Sequence, residues 1–433
     1  MTSKRHGWAL TLMTWLVLGS AATATPVALD LGQLLDMVRK THPDVALARI
    51  GQLRARLERQ AATEGRWTGR VGLDGFGVAN QRLPMTGQIP DPSGFGQGTL
   101  AAEGRLVLLD GGRLDKADVA AAAGEQAAGA RAGTALRDLG DGVVRGFWEM
   151  RRAELLRQVA RQQVQQARTA WESGQAELNH GRRAAADVAG LEAAHLAAEN
   201  QWHRQDQAVA EARVRLETLV GLSDGAWTLT EAAVSPDGLP EASGSWETRP
   251  EWLAQKALVN QAQARLEEAA AALAPTVGLS GRIEAGNGLV RPDIQLRTTD
   301  PLAGQWSLRL DMAWPWLDNG RAGRNFERAR LDLLEAEQRS ERLRLDMVRD
   351  ERVARERLRQ ALVRLKLQDR AVVVVGQAHA LTATRFRQGL ALPVELETAR
   401  TRLAQAQADR IDAAIEGMLA HWELARALGK ETP

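Results

Sequence analysis

The 433-residue sequence contains no cysteine and no tyrosine. Without cysteine the chain forms no disulfide, offers no thiolate metal site and carries no lipid on an N-terminal cysteine. Aromatic residues make up only 4% of it, and 13 of them are tryptophan, so an interfacial aromatic girdle has to be built from tryptophan. Beyond the N-terminus no apolar run reaches the roughly 20 residues of a membrane helix; the run Val372 to Val375 is far too short. A place in a membrane therefore requires β-strands. Excess charge of one sign is also missing. The formal net charge is +2, and residues 1–24 hold two cations and no acid, so the mature chain is close to neutral. Its basic groups are interleaved with Glu and Asp as on solvated helix faces, which gives no footing for nucleic acid.

The N-terminus has the layout of an export signal. Lys4, Arg5 and His6 precede the apolar stretch Trp8 to Leu18, and Ala22-Thr23-Ala24 supplies small residues for cleavage. The alternative, a buried N-terminal helix, lacks an amphipathic period.

What the sequence does contain is a repeat. Asp110-Gly111-Gly112-Arg113 recurs 208 residues later as Asp318-Asn319-Gly320-Arg321, and Gly181 and Gly221 recur at the same offset as Gly389 and Gly429. His42-Pro43-Asp44 stands against Arg249-Pro250-Glu251, 207 residues on. Gly112 to Gly181 and Gly320 to Gly389 are both 69 residues, rich in Ala, Leu, Glu, Gln and Arg and free of proline. Such a stretch predicts one continuous helix of roughly 100 Å, far longer than a compact domain needs. The return legs to Gly221 and Gly429 are only 40 residues, so segments 43–66 and 250–273 are expected to stack end to end with them.

Two alternating runs precede each Asp-Gly/Asn-Gly-Arg motif. In 305–314, Trp306, Leu308, Leu310, Met312 and Trp314 share one face and Gln305, Ser307, Arg309 and Asp311 the other; 276–285, 99–108 and, more weakly, 70–79 alternate likewise. Alternation alone suits any half-buried sheet. Runs of about ten residues, with charges of both signs on the polar face, suit a tilted membrane strand facing a wet lumen. Trp306 and Trp314 are eight residues apart, roughly 26 Å along a strand, near the height of an apolar band between aromatic girdles. The Gly/Pro-rich stretches 80–98 and 286–304 are expected as loops. Four strands cannot close a barrel, so several chains must each contribute four.

In the order and spacing of these landmarks the chain resembles the TolC-like outer-membrane efflux proteins over nearly its whole mature length. The shared segments are the two helix starts, the strand ends Leu109-Asp110-Gly111-Gly112-Arg113 and Pro315-Trp316-Leu317-Asp318-Asn319-Gly320-Arg321, and the tips Gly181…Asp187-Val188 and Gly389-Leu390-Ala391…Glu395-Leu396. The helix ends Leu219-Val220-Gly221-Leu222 and Ala427-Leu428-Gly429 complete the set. The resemblance implies a mainly α fold with a small β part: two repeats, a long coiled-coil α-helical barrel and four membrane strands per chain, three chains sharing a 12-stranded β-barrel. The expected organisation is a signal peptide at 1–24, a first repeat at 25–222 with its hairpin at 69–108, an equatorial segment at 223–248, and a second repeat at 249–433 with its hairpin at 275–316. That segment and the C-terminus are expected to form a small mixed domain.

The implied function is a passive exit duct in the outer membrane, serving a tripartite efflux pump or a type I secretion system and gated at its periplasmic tip. Implied partners are two further copies of the chain, a periplasmic adaptor, an inner-membrane transporter and outer-membrane lipid. By the family's pattern Glu395 lies at the pore constriction, and Asp187 and Phe386 belong to the gate with Arg182, Arg183 or Arg387 as its cations. Thr398 and Ala391 stand where the family has a second acid and an arginine. Gly181, Gly389 and Leu390 are expected at the adaptor contact, and Trp306 and Trp314 in the girdle. Asp187 and Glu395 serve equally well, on sequence grounds, as caps of the helices behind the tips.

No metal spacing appears among the seven histidines; His195 and His203 read as exposed helix residues. Gly94-Phe95-Gly96-Gln97-Gly98 has no helix behind it and reads as loop, not as a nucleotide site. No nucleophile–base pattern, cofactor motif or other enzymatic signature stands out. The rival readings are a periplasmic coiled-coil adaptor, which needs one helical hairpin rather than two matched ones, and a scaffold without a pore.

Overall fold

A computed structural model describes residues 27–80, 93–222, 227–230, 243–286, 303–315 and 318–430. The export signal, the middle of both expected loops, Trp316-Leu317 and much of 223–248 lie outside them. In chain order the elements are β1 (Val27–Leu29), α1 (Leu31–Thr41), α2 (Pro43–Thr63), β2 (Trp67–Asn80), β3 (Ser93–Leu109), α3 (Arg113–Asn179) and α4 (Ala185–Val220). The second half follows with β4 (Trp227–Leu229), α5 (Pro250–Ala271), β5 (Thr276–Gly286), β6 (Ala303–Ala313), α6 (Arg321–Arg387) and α7 (Pro393–Ala427). Helices α3 and α6 are both 67 residues long and start and stop 208 residues apart.

The repeated motif is the corner that turns a strand into a long helix. Asp110 accepts from the amides of Gly112 at 3.0 Å and Leu114 at 2.8 Å; Asp318 accepts from Gly320 at 2.9 Å and Ala322 at 2.6 Å. Each aspartate thus supplies acceptors for amides that the first helical turn leaves without partners. The two residues after it take positive φ: Gly111 and Gly112 in one repeat, Asn319 and Gly320 in the other. Glycine is required at 111, where a Cβ would stand 2.7 Å from that of Ala274 and 3.0 Å from the Ala271 carbonyl. At 319 the side chain is exposed, and asparagine, which tolerates the left-handed region, suffices. Pro43 and Pro250 open α2 and α5 at the first helical position, where their missing N–H has no cost.

Helices α2 and α4 lie end to end along α3. Arg59 of α2 meets Glu125, and Arg66, in the turn just after α2, meets Asp115. Further along, a Cβ on Gly142 or Gly146 would touch Leu219 or Leu216 of α4. Half of the buried residues of α3 and most of those of α7 are alanine, whose small side chains let helix axes approach closely. The main apolar core sits where the two sections meet. It gathers Leu34, Leu35 and Val38 from α1, Val143, Val144, Phe147 and Trp148 from α3, Leu216 and Val220 from α4, Trp227 and Leu229 from β4, and Ile415 from α7. Here β1 pairs in parallel with β4. Residues 27–41 therefore help build this belt, a role the sequence reading did not assign them.

Beside that core a polar network joins the repeats. Buried Asp141 accepts from Trp422 Nε1 at 2.9 Å, from Arg426 at 2.7 Å and from Arg145 at 3.3 Å. Arg145 also reaches Glu423, which binds Arg357. Arg137 bonds Glu251 at 3.3 Å and donates to the Arg426 carbonyl.

Two expectations are corrected. Ser93–Leu109 is one strand, so the Gly94–Gly98 run pairs with β2 instead of forming loop. Gly96 and Gly98 face Gly77 and Gly75 across the ladder, and backbone pairing holds a register that side-chain pattern does not announce. His195 is buried, its ring stacked 5.5 Å from that of Trp171, because it lies on the face that α4 turns toward α3; His203 is exposed.

Removing Asp141 leaves the half-buried Arg426 guanidinium with Asp138 alone and strands the Trp422 indole N–H. Asp141→Ala is expected to cost about 2 kcal/mol and to lower the thermal midpoint. Asp138→Ala, at an exposed partner of the same Arg426, should change it by less than about 1 kcal/mol. Equal shifts in a melting experiment would show that burial of Asp141 does not matter.

Candidate functional site: the sheet and the hairpin tips

The four long strands form one antiparallel sheet in the order β2-β3-β5-β6, with β3 and β5 joining the repeats and β2 and β6 at its edges. The register lines up Trp67, Leu106, Leu279 and Leu310 across all four strands, and likewise Val71, Ala102, Ile283 and Trp306. On the other face Arg70, Glu103, Arg282 and Ser307 form a row, as do Thr68, Arg105, Ser280 and Arg309. Arg105 bonds Asp311 at 3.3 Å and Arg282 pairs with Glu284. One face is thus continuously apolar and the other a ladder of mixed charge.

Trp306 and Trp314 are 77% and 60% exposed on the apolar side, Trp314 lying just past β6. Trp67 is 66% exposed at the start of β2, level across the ladder with Leu310, midway between Trp306 and Trp314. It is a third exposed tryptophan on the same apolar face. The weak alternation of 70–79 drew the expected strand too short to include it.

At the opposite end of the hairpins, the two tips share one turn. Gly181 and Gly389 take φ of +68° and +74°. Arg182 N donates to the Glu177 carbonyl and Leu390 N to the Arg385 carbonyl, both at 2.8 Å. This six-residue closure with a left-handed glycine satisfies the last carbonyls of α3 and α6. Glu395 is exposed in the first turn of α7, and its Oε2 accepts from Leu392 N at 3.3 Å, so it does cap that helix. Asp187 takes the matching place in α4 and is half-buried.

The side chains assemble around Phe386. The Arg183 guanidinium lies 4.7 Å from the centre of its ring, and Arg183 Nε also bonds Glu177 at 2.6 Å. This contact ties the first tip to the second. Arg387 folds back on its own helix, to the Ala383 carbonyl and the Thr384 hydroxyl, and Arg182 stands exposed. Glu395 lines a groove between α6 and α7 of roughly 460 Å³ with His379, Arg385, Thr398 and Arg402.

About ten residues above the tips lies a layer the sequence did not flag. Trp171 Nε1, His195 Nδ1, His379 Nε2, Glu397 Oε2 and Arg400 Nε are buried there without hydrogen-bond partners among the described residues. Trp171 and His379 are equivalent in the two repeats, 208 residues apart. Burial, and then the neighbouring Arg400 charge, push His379 below the usual imidazole range; burial also lowers Arg400, against the pull of Glu397. Among the described residues no group of three or more His, Asp or Glu is placed to hold a metal.

A profile of the outer membrane efflux protein family matches residues 34–222 and 244–430, one segment for each repeat. The chain belongs to the outer membrane efflux protein family. Its fold is similar to that of CusC, with a TM-score of 0.79 and 15% identity over 94% of each chain. It is also similar to VceC from Vibrio cholerae, with a TM-score of 0.72 and 18% identity over 92% of this chain and 96% of that one. MtrE of Neisseria gonorrhoeae, in its open state, matches with a TM-score of 0.70 and 17% identity over 92% and 88%. No curated protein matches the chain by sequence. Membership makes this chain a pore protein and not an enzyme, located in the outer membrane with its long helices on the periplasmic side.

The depressed pKa of His379 sets the sign of a pH effect. The unfolded chain takes up its proton near 6.5, above the folded chain, so the stability held by neutral His379 is complete above that value and declines as pH falls through it. Amide exchange around residues 374–382, corrected for intrinsic rates, should quicken between about pH 7.5 and about pH 5.5. His379→Gln should flatten this dependence; an unaltered profile would assign it to another group.

Proposed function

We propose that three copies of the chain close a 12-stranded β-barrel through the outer membrane and continue it as a periplasmic helical tunnel. The assembly serves as the passive exit duct of a tripartite efflux pump or type I secretion system, working with a periplasmic adaptor and an inner-membrane transporter. The observation that carries this reading is the sheet of a single chain, which is apolar on one face, charged on the other and open at both edges, in a member of an outer-membrane family. In hydrocarbon the free edges of β2 and β6 have no water to bond, and pairing with the next copy satisfies both. The mixed charges then line a wet lumen. The protein extracted from outer membranes should run as a heat-sensitive trimer and conduct in planar bilayers; a soluble periplasmic monomer would overturn the proposal in favour of a scaffold without a pore.

The gate in this proposal is the pair of tips. Arg183 and Phe386 hold the two hairpins together, and Glu395 of three chains forms an acidic ring that draws cations and impedes anions. Gly181, Gly389 and Leu390 offer the surface for the adaptor, while Trp67, Trp306 and Trp314 anchor the barrel in lipid. Two substitutions separate latch from ring. Arg183→Ala removes a contact worth on the order of 1 kcal/mol, so the open fraction should rise severalfold with cation selectivity kept. Glu395→Ala should raise conductance or weaken block by divalent cations. If single-channel records show neither change, Glu395 is not at the constriction.

A further inference from the structure

Between the belt and the sheet the two repeats are unequally surrounded. Helix α5 is flanked on both sides. Lys116 of α3 pairs with Glu267, and a Cβ on Gly124 would stand 2.7 Å from Gln261 Nε2. On the other side Gln255 donates to the Ala336 carbonyl of α6. Its counterpart α2 lies on α3 through Gln52 and Arg59, and its other side is open. There Leu47, Ile50 and Leu57 are 63%, 52% and 65% exposed, whereas the residues 207 positions later, Ala254, Ala257 and Ala264, are buried. Helix α6 is open in the same way: Leu331 is exposed, and its counterpart Ala123, 208 positions earlier, is buried.

The repeat offsets translate the seam between α3 and α5 into a pairing of the two open faces. Each α3 residue maps 208 positions forward onto α6, and each α5 residue 207 positions back onto α2. Lys116 and Glu267 become Arg324 and Gln60, still a donor opposite an acceptor, and Gly124 and Gln261 become Asp332 and Arg54. One turn nearer the sheet, the same antiparallel register sets Arg328 opposite Glu58. Both pairs have opposite charges. All four side chains are exposed, and among the described residues none has a hydrogen bond or an ion pair. Chain continuity brings the same helices together, since α2 leads into edge strand β2 and α6 leaves edge strand β6.

We infer that α2 of one copy packs against α6 of the next in the register of the α3–α5 seam, with Arg54 on Asp332 and Glu58 on Arg328 as a charge key by which the chain selects its own copies. The inference rests on the trimer reading and adds which residues meet and what makes a copy recognisable. Exposed ion pairs add little net stability. They act through the mismatch, because a chain with either sign reversed sets like charges opposite each other. Leucine and isoleucine on α2 stand where α5 has alanine, so the seam between copies is wider than the seam within a chain. The tunnel then alternates three narrow seams with three wide ones.

The absence of cysteine makes the test direct. In the full-length protein, Arg54→Cys with Asp332→Cys should yield reducible dimers and trimers on a denaturing gel after mild oxidation, while each single variant stays monomeric. Arg54→Cys with Arg339→Cys, two turns or roughly 10 Å along α6, lies beyond disulfide reach and should not link. Equal linking of both pairs, or a link that leaves every chain a monomer, overturns the register. The key is tested by reversal. Arg54→Glu and Asp332→Arg should each lower the temperature at which the trimer separates by several degrees, and the double variant should recover most of that loss. Co-expressed with the unaltered chain, the double variant should form mixed trimers severalfold less often than random mixing gives. Additive losses or random mixing overturn the key. Conductance keeps the two proposals apart: a conducting trimer without the link defeats this inference alone, while a monomer that never conducts defeats the channel.

Discussion

In hydrocarbon a backbone amide or carbonyl has only protein to bond to, and the rest of this molecule is arranged around that demand. Within the chain β3 and β5 are paired on both sides, while β2 and β6 are paired on one. A second repeat doubles the strand count and leaves two open edges, which the proposed ring of three copies pairs with each other. The charges on the polar face become affordable once that face is wet. The apolar face, conspicuously exposed on a lone chain, becomes ordinary once lipid covers it.

The demand extends to the corner where each strand becomes a helix. The aspartate at 110 or 318 supplies acceptors for amides that the helix start leaves over, and a left-handed pair turns the chain. From that corner a helix of 67 residues runs without interruption. Half of its buried positions are alanine, so apolar burial per residue is modest there and its packing depends on close approach rather than bulk. Large side chains are concentrated in the belt around Phe147, Trp148 and Leu216, braced by Asp141 and its cations. Away from the belt, toward the tips, several buried polar atoms have no hydrogen-bond partner among the described residues.

Much of this plan was readable in the residues because its signals are long or exactly repeated in spacing. The matched glycine intervals foretold two helices of one length, and Trp306 to Trp314 showed a strand by strict alternation. What escaped was short or silent in periodicity. A three-residue strand such as β1 has no period to detect, and its partner β4 lies 200 residues away. The Gly94–Gly98 segment carries loop composition but strand pairing, since the ladder is made by backbone. At the tips the sequence named the participants without their pairings. Arg183, not its neighbour Arg182 or Arg387, lies over Phe386, and no spacing rule distinguishes three arginines by the direction in which each points.

The braced belt gives the hairpins a mechanical character. Asp141 binds its cations 40 residues from Gly181, roughly 60 Å of helix. With that point as fulcrum, a tilt of about five degrees displaces the tip by roughly 5 Å, more than the span of a cation resting on an aromatic ring. A long arm exchanges a small rotation for a large travel, and in the same ratio it magnifies a modest sideways force applied at its end into torque on the belt.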